Sequence, residues 1–137
     1  MNIDKFQELK KKVEIDLTID ETNAAEKSLK FSSLYNFYLA LYIQELRILK
    51  RISTEKDKLF GDKYHFYKFG NFDYKLDSAK EIETYVRSDT DFYNKCLEYQ
   101  NQEIVVKYLE ETLTNLNNTN YRIKNYIELY KIKFGLK

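Results

Sequence analysis

Residues 56–75 read KDKLFGDKYHFYKFGNFDYK, and their reading decides how the chain is divided. Two of the three glycines, Gly61 and Gly70, and the only histidine, His65, lie here. Phe60, Tyr64, Phe66, Tyr67, Phe69, Phe72 and Tyr74 are interleaved with Lys56, Lys58, Lys63, Lys68 and Lys75. Glycine accepts left-handed backbone, so Gly61 is expected to cap a helix arriving from the N-terminal side. Residues 61–76 then form an irregular aromatic loop, or a short hairpin around Gly70-Asn71 with Tyr64-His65-Phe66 and Phe72-Asp73-Tyr74 as arms. Two readings of the rings stand side by side. Lysines mixed with flat rings suit a single-stranded nucleic acid, with phosphates on ammonium groups and bases stacked on rings. Aromatic side chains are mostly packing, so a loop folded back onto its helices is the stronger reading of this stretch taken alone.

Everything on either side reads as helix. Ser32 or Ser33 opens a long helix to about Leu59, in effect residues 32–60. Leu34, Tyr38, Leu41, Ile48 and Ile52 recur at spacings of four and three, with Glu45 interrupting. Tyr35, Leu39, Tyr42, Leu46 and Leu49 widen that face beyond a coiled-coil seam. Some 27 residues at about 1.5 Å each span roughly 40 Å, so this helix needs a partner of similar length. Upstream, Asn2 caps a helix over 2–13 that shows Phe6, Leu9 and Val13 on one face. Ile15, Leu17 and Ile19 alternate with polar residues and predict an extended connector, followed by a turn of helix near residues 24–27.

Downstream, Asp77 or Ser78 starts a helix with a capping box, Ser78-Ala79-Lys80-Glu81. Ser88-Asp89-Thr90-Asp91 repeats the signal and opens a second long helix over 89–116. Its stripe is Phe92, Cys96, Tyr99, Val106, Leu109, Leu113 and Leu116, with Glu103 in the gap. This near-heptad pattern calls for packing along the first long helix or a neighbouring subunit. Asn117-Asn118-Thr119-Asn120 reads as a turn. A last helix over 119–134 carries Ile123, Ile127, Tyr130 and Phe134 on one side, with Arg122, Lys124, Lys131, Lys133 and Lys137 making it basic. The expected fold is all-α: two long helices packed with shorter N- and C-terminal helices in a single domain, 1–137.

The composition agrees. The 137 residues contain no proline, no tryptophan and only three glycines, which suits uninterrupted helices. The net charge of +1 is segregated: −2 over 1–27, +4 over 28–76, −5 over 77–115 and +4 over 116–137. Such blocks make a surface for a polyanion or complementary faces that pair subunits. Cys96 alone permits no internal disulfide and no cysteine-rich metal site, and on an apolar stripe it reads as a small buried hydrophobe. No stretch is apolar enough to span a membrane or serve as a secretory leader, so a soluble intracellular protein is expected. No GxxxxGK, GxGxxG or Cys/His ligand spacing occurs, so neither cofactor nor metal is expected. Glu81/Glu83 and Glu110/Glu111 are most simply solvated faces or ion-pair partners. His65, among its rings, reads as packing or stacking rather than as a catalytic base.

Several stretches together resemble the UvsY family, recombination mediators of T-even-like phages. The opening IDKFQELKKKVEIDLTIDETNAAEKSLKFSSLYNFYL looks like the family's short helix, "xIDxT" connector and Leu/Tyr-rich helix. Lys56-Asp57-Lys58-Leu59 is similar to its Lys-x-Arg-Leu element, and the aromatic run from Tyr64 to Gly70 to the Tyr-Tyr-x-Gly that follows. Ser88-Asp89-Thr90-Asp91 resembles its Ser-x-x-Asp, and Asn120-Tyr121-Arg122-Ile123-Lys124-Asn125 the opening of its C-terminal helix. The order and spacing of these motifs cover essentially the whole chain.

The resemblance implies a non-enzymatic protein in the cytoplasm of an infected bacterial host. It implies binding to single-stranded DNA already covered by the phage single-stranded-DNA-binding protein, and help for a RecA-like phage recombinase to nucleate there. It also implies a ring-like homo-oligomer built through the C-terminal region, with Ile123, Ile127, Tyr130 and Phe134 as candidate subunit contacts. By the motif match, Lys56 and Lys58 correspond to the family's basic pair for DNA; Lys58 stands where the family has Arg, keeping the charge but losing the planar fork. Lys63, Tyr64, Phe66, Tyr67 and Lys68 complete the candidate DNA contacts. The alternative is a helical oligomeric scaffold or adaptor without direct DNA binding.

Overall fold

The computed structural model describes residues 1–70, 76 and 78–135. Among the described residues there are four helices: α1 (Ile3–Leu17), α2 (Ala24–Phe69), α3 (Ala79–Ser88) and α4 (Thr90–Lys133). The all-α expectation is borne out, but both long helices are longer than expected. They run through two compact units, one of Met1–Glu45 with Val105–Lys137 and one of Leu46–Ile104.

The first unit begins at Asn2, whose side chain accepts the Lys5 amide at 2.8 Å and caps α1 as expected. The helix does not stop at Val13. Ile15 and Leu17 are helical, so their alternation with polar residues is no sign of extended backbone. At the end of α1 the Thr18 amide donates to the Ile15 carbonyl at 3.3 Å, and the ammonium of Lys27 donates to the Ile15 and Asp16 carbonyls at 2.7 and 3.1 Å, a cation placed at the negative end of the dipole.

The connector is a tight cap. The Asp20 carboxylate accepts the Thr22 and Asn23 amides at 2.8 and 3.0 Å, while the Asn23 side chain accepts the Asp20 amide at 2.9 Å. Hydrogen bonds from the Thr22 hydroxyl, the Asn23 amide and the Thr22 amide hold the Asp20 carboxyl below its usual range. This cap launches α2 at Ala24, eight residues ahead of Ser32. Ser32 and Ser33 are exposed mid-helix positions, where a weak helix former costs only a few tenths of a kcal/mol.

Leu9 and Val13 of α1, Tyr38 of α2 and Val105, Leu109, Leu113 and Leu116 of α4 form the core of this unit. Phe6 meets Tyr108 edge-on at 5.4 Å. The fully buried Tyr38 donates its hydroxyl to Asp16 at 2.6 Å; burial first, and then that hydrogen bond, pushes its phenol well above the usual range. The interrupting Glu45 is itself buried, 3.8 Å from the Met1 amine. The expected turn at 117–120 is absent, because α4 continues to Lys133. Asparagine disfavours helix only weakly, and the continuation buries Thr119 and sets Ile123 against Ile19 and Ala24.

The second unit holds the later part of α2, α3 and the first part of α4. Gly61 does not cap α2. It is an exposed interior position, and α2 runs on to Phe69 with a bend at Gly70. The irregular loop is therefore helix over 61–69, which removes the first arm of the hairpin. The second arm, Phe72-Asp73-Tyr74, lies outside the described residues, as does Asp77. Ser78 caps α3, accepting the Glu81 amide at 3.2 Å. The box expected at Ser88 is shifted by one residue. Asp89 accepts the Asp91 and Phe92 amides at 2.9 and 3.2 Å, while the Ser88 hydroxyl turns back to the Thr84 carbonyl. Ile82, Val86 and Phe92 form the core, with Leu59, Phe60, Tyr64, Tyr67, Leu76 and Cys96 packed around it.

Candidate nucleic-acid interface

The later part of α2, residues 46–69, carries seven cations, Arg47, Lys50, Arg51, Lys56, Lys58, Lys63 and Lys68, against three acids, Glu55, Asp57 and Asp62. Because this stretch is helical, side chains two positions apart point to nearly opposite sides, about 200° round the axis. Lys56 and Lys58 are thus separated. Lys56 is half-buried, its ammonium 4.1 Å from the centroid of the Tyr99 ring on α4. Lys58 is exposed and makes no ion pair among the described residues.

Lys63 is committed elsewhere. It reaches Asp91 at 2.9 Å and Asp89 at 3.3 Å, with only 22% of its side chain exposed. The hydrogen bond to Asp91, reinforced by Asp89, raises its pKa against the opposing effect of burial. Tyr67 joins the same cluster, donating its hydroxyl to Asp89 at 2.8 Å and lying 5.9 Å from Tyr85. Tyr64 packs on the second unit's core beside Phe60. Lys63, Tyr64 and Tyr67 thus join α2 to the start of α4. Lys68 is exposed without an ion pair, 5.2 Å from the Phe69 ring.

The same periodicity sends the remaining rings outward. Phe66 is 52% and Phe69 67% exposed, and His65 lies 4.8 Å from Phe69. His65 and Phe69 were missing from the sequence-derived contacts, because reading Gly61 as a cap suspended the helical period that identifies them. Of the candidate subunit contacts, Ile123 is buried within its own chain and Ile127 half-buried in the same cluster. Tyr130 and Phe134 are exposed, their rings 4.6 Å apart. Among the described residues no group of three or more His, Cys, Asp or Glu side chains could hold a metal ion, and no helix is long and apolar enough to cross a membrane.

These features define an all-helical protein with a basic, ring-bearing helix face. The chain belongs to the UvsY family, described as recombination, repair and single-stranded-DNA-binding protein UvsY, whose model matches residues 12–136. Its fold is that of the bacteriophage T4 recombination mediator protein UvsY. The lattice type IV crystal structure of that protein aligns with a TM-score of 0.83 at 17% identity over 97% of this chain and 99% of that one. Lattice type II gives 0.83 at 18% identity over 97% and 98%, and lattice type I gives 0.80 at 18% over 92% and 98%. At such identity the likeness establishes the fold. No curated protein matches the chain by sequence.

Proposed function

We propose that this chain is a phage recombination mediator that binds single-stranded DNA and helps load a RecA-like recombinase onto DNA covered by a single-stranded-DNA-binding protein. It acts by binding rather than catalysis, in the cytoplasm of the infected host. The observation that carries the reading is the excess of cations on residues 46–69 of α2, with Lys58 and Lys68 exposed and free of ion pairs among the described residues. Family membership supports single-stranded DNA as the ligand of that face. Lys58 is the principal phosphate contact; Lys56, turned toward Tyr99, is secondary.

A single such face is a modest binder, and self-association into a ring would gather several at high effective concentration. Tyr130 and Phe134, with Leu129 and Ile132, leave an exposed apolar end on α4 suited to that contact. The test is fluorescence anisotropy of a labelled oligonucleotide at two salt concentrations, beside sedimentation velocity of the same samples. Binding that weakens steeply as salt rises is expected. No binding at low salt would leave the scaffold reading in its place.

A further inference from the structure

Five residues of α2, Arg47, Arg51, Lys58, His65 and Phe69, fall on one line along the helix. At about 100° per residue, all lie within roughly 20° of a common direction. From Arg47 to Phe69 the line is about 33 Å long. All five are exposed. The line has two chemically different parts. Its first part is cationic: Arg47 and Lys58 make no ion pair among the described residues, and Arg51 has only the exposed contact to Glu55 at 3.6 Å. Its last part is a ring pair, His65 and Phe69, flanked by Phe66 on one side and Lys68 on the other. Asp62, exposed and close to the line, separates the two parts.

We infer that His65, Phe66 and Phe69 form a platform on which bases of a single strand stack, in register with phosphate contacts at Arg47, Arg51 and Lys58. This rests on the single-strand-binding reading above and specifies how the site takes its ligand. Three observations favour nucleic acid as the occupant. The rings are exposed at the end of a helix whose Tyr64 and Tyr67 already serve packing. Cations run in line with them, Arg47 and Lys58 without an ion pair among the described residues and Arg51 with only the exposed Glu55 contact. A flat π-face accepts any base, so such a platform adds affinity without sequence preference. Asp62 opposes a continuous phosphate track, so the strand presents phosphates before it and bases after it.

The test compares an oligo-dT strand with an abasic strand of equal length, which keeps the phosphates and lacks the bases. Wild type is expected to prefer oligo-dT, by roughly 5- to 150-fold for one stacked base. Phe66→Ala with Phe69→Ala should abolish that preference while leaving abasic-strand binding and its salt slope intact. A second variant uses the absence of tryptophan from the chain. Phe69→Trp supplies a lone indole whose emission should be quenched by oligo-dT and not by the abasic strand. If the double variant keeps the oligo-dT preference, or if the Phe69→Trp emission ignores a saturating oligo-dT strand, the platform is refuted while salt-dependent binding stands. If the double variant instead changes the sedimentation profile without DNA, the rings belong to a subunit contact, and the platform is likewise refuted. Failure of wild type to bind either strand would refute the binding reading itself.

Discussion

Lys63 and Lys58 lie five residues apart on one helix, and under the proposed function they take opposite roles. Replacing each by alanine should separate stability from DNA binding. Lys63 bridges Asp89 and Asp91 at 3.3 and 2.9 Å with most of its side chain covered. The Asp91 bridge is exposed at its acidic end and contributes a few tenths of a kcal/mol. The Asp89 carboxylate has only 10% of its side chain exposed, and losing one donor there costs more, about 1 kcal/mol. Lys63→Ala should therefore destabilise the protein by about 1 to 2 kcal/mol. At roughly 3–5 °C per kcal/mol for a chain of this size, Tm falls by about 3 to 10 °C. Lys58 is exposed and has no ion pair among the described residues, so Lys58→Ala should change stability by less than about 0.5 kcal/mol.

The DNA readout should reverse. Removing one phosphate contact lowers the slope of log K against log salt by about 0.7 for a single strand. Lys58→Ala should flatten the slope by about that much per engaged subunit, and Lys63→Ala should leave it unchanged. Thermal melts by circular dichroism at fixed protomer concentration, with anisotropy titrations at several salt concentrations, measure both quantities. Equal flattening by the two variants, or a melting loss confined to Lys58→Ala, would refute the assignment of Lys63 to the fold and Lys58 to the ligand.

Other outcomes follow from the same geometry. Gly61 is an exposed helical position with nothing within 4 Å of an added Cβ, so Gly61→Ala should stabilise by about 0.5–1 kcal/mol without altering DNA affinity, read by urea unfolding. Leu109 is fully buried in the core of the first unit; Leu109→Ala should cost about 2–5 kcal/mol in the same assay. Burial pushes the Asp89 carboxyl up, but hydrogen bonds from Tyr67, Phe92 and Lys63 outweigh it and hold the pKa below its usual value. A carboxyl lowered in the folded state contributes stability that is complete above the unfolded pKa of about 3.9 and lost as pH falls through the folded value. Tyr67→Phe removes one of these donors, so acid unfolding followed by circular dichroism should begin at higher pH. Asp62→Asn removes the acid beside the line of α2 cations, and should tighten oligonucleotide binding with no change in melting temperature.

The sequence by itself determined the helical class, the apolar faces and much of the capping. Periods of three and four mark Tyr38, Ile52, Leu109 and Leu116 as core whatever they pack against, and Asn2 and Ser78 cap through contacts three residues away. It also singled out the basic aromatic stretch as a candidate interface, but as a loop or hairpin after a helix cap at Gly61 rather than as part of the helix. Tertiary structure decided where the helices stop. Gly61, Ser32 and the asparagines at 117–120 all carry local preferences worth a kcal/mol or less, and all three breaks are overridden. Burying Phe60 and Tyr64 against α3 and α4, and Ile123 against Ile19 and Ala24, outweighs them. That difference in scale also reassigns the site. Once 61–69 is helix, the period turns Tyr64, Tyr67 and Lys63 inward and His65, Phe66 and Phe69 outward. Which lysine is free for a ligand depends on carboxylates 26 and 28 positions away from Lys63, and such distant partners meet only when the chain has folded.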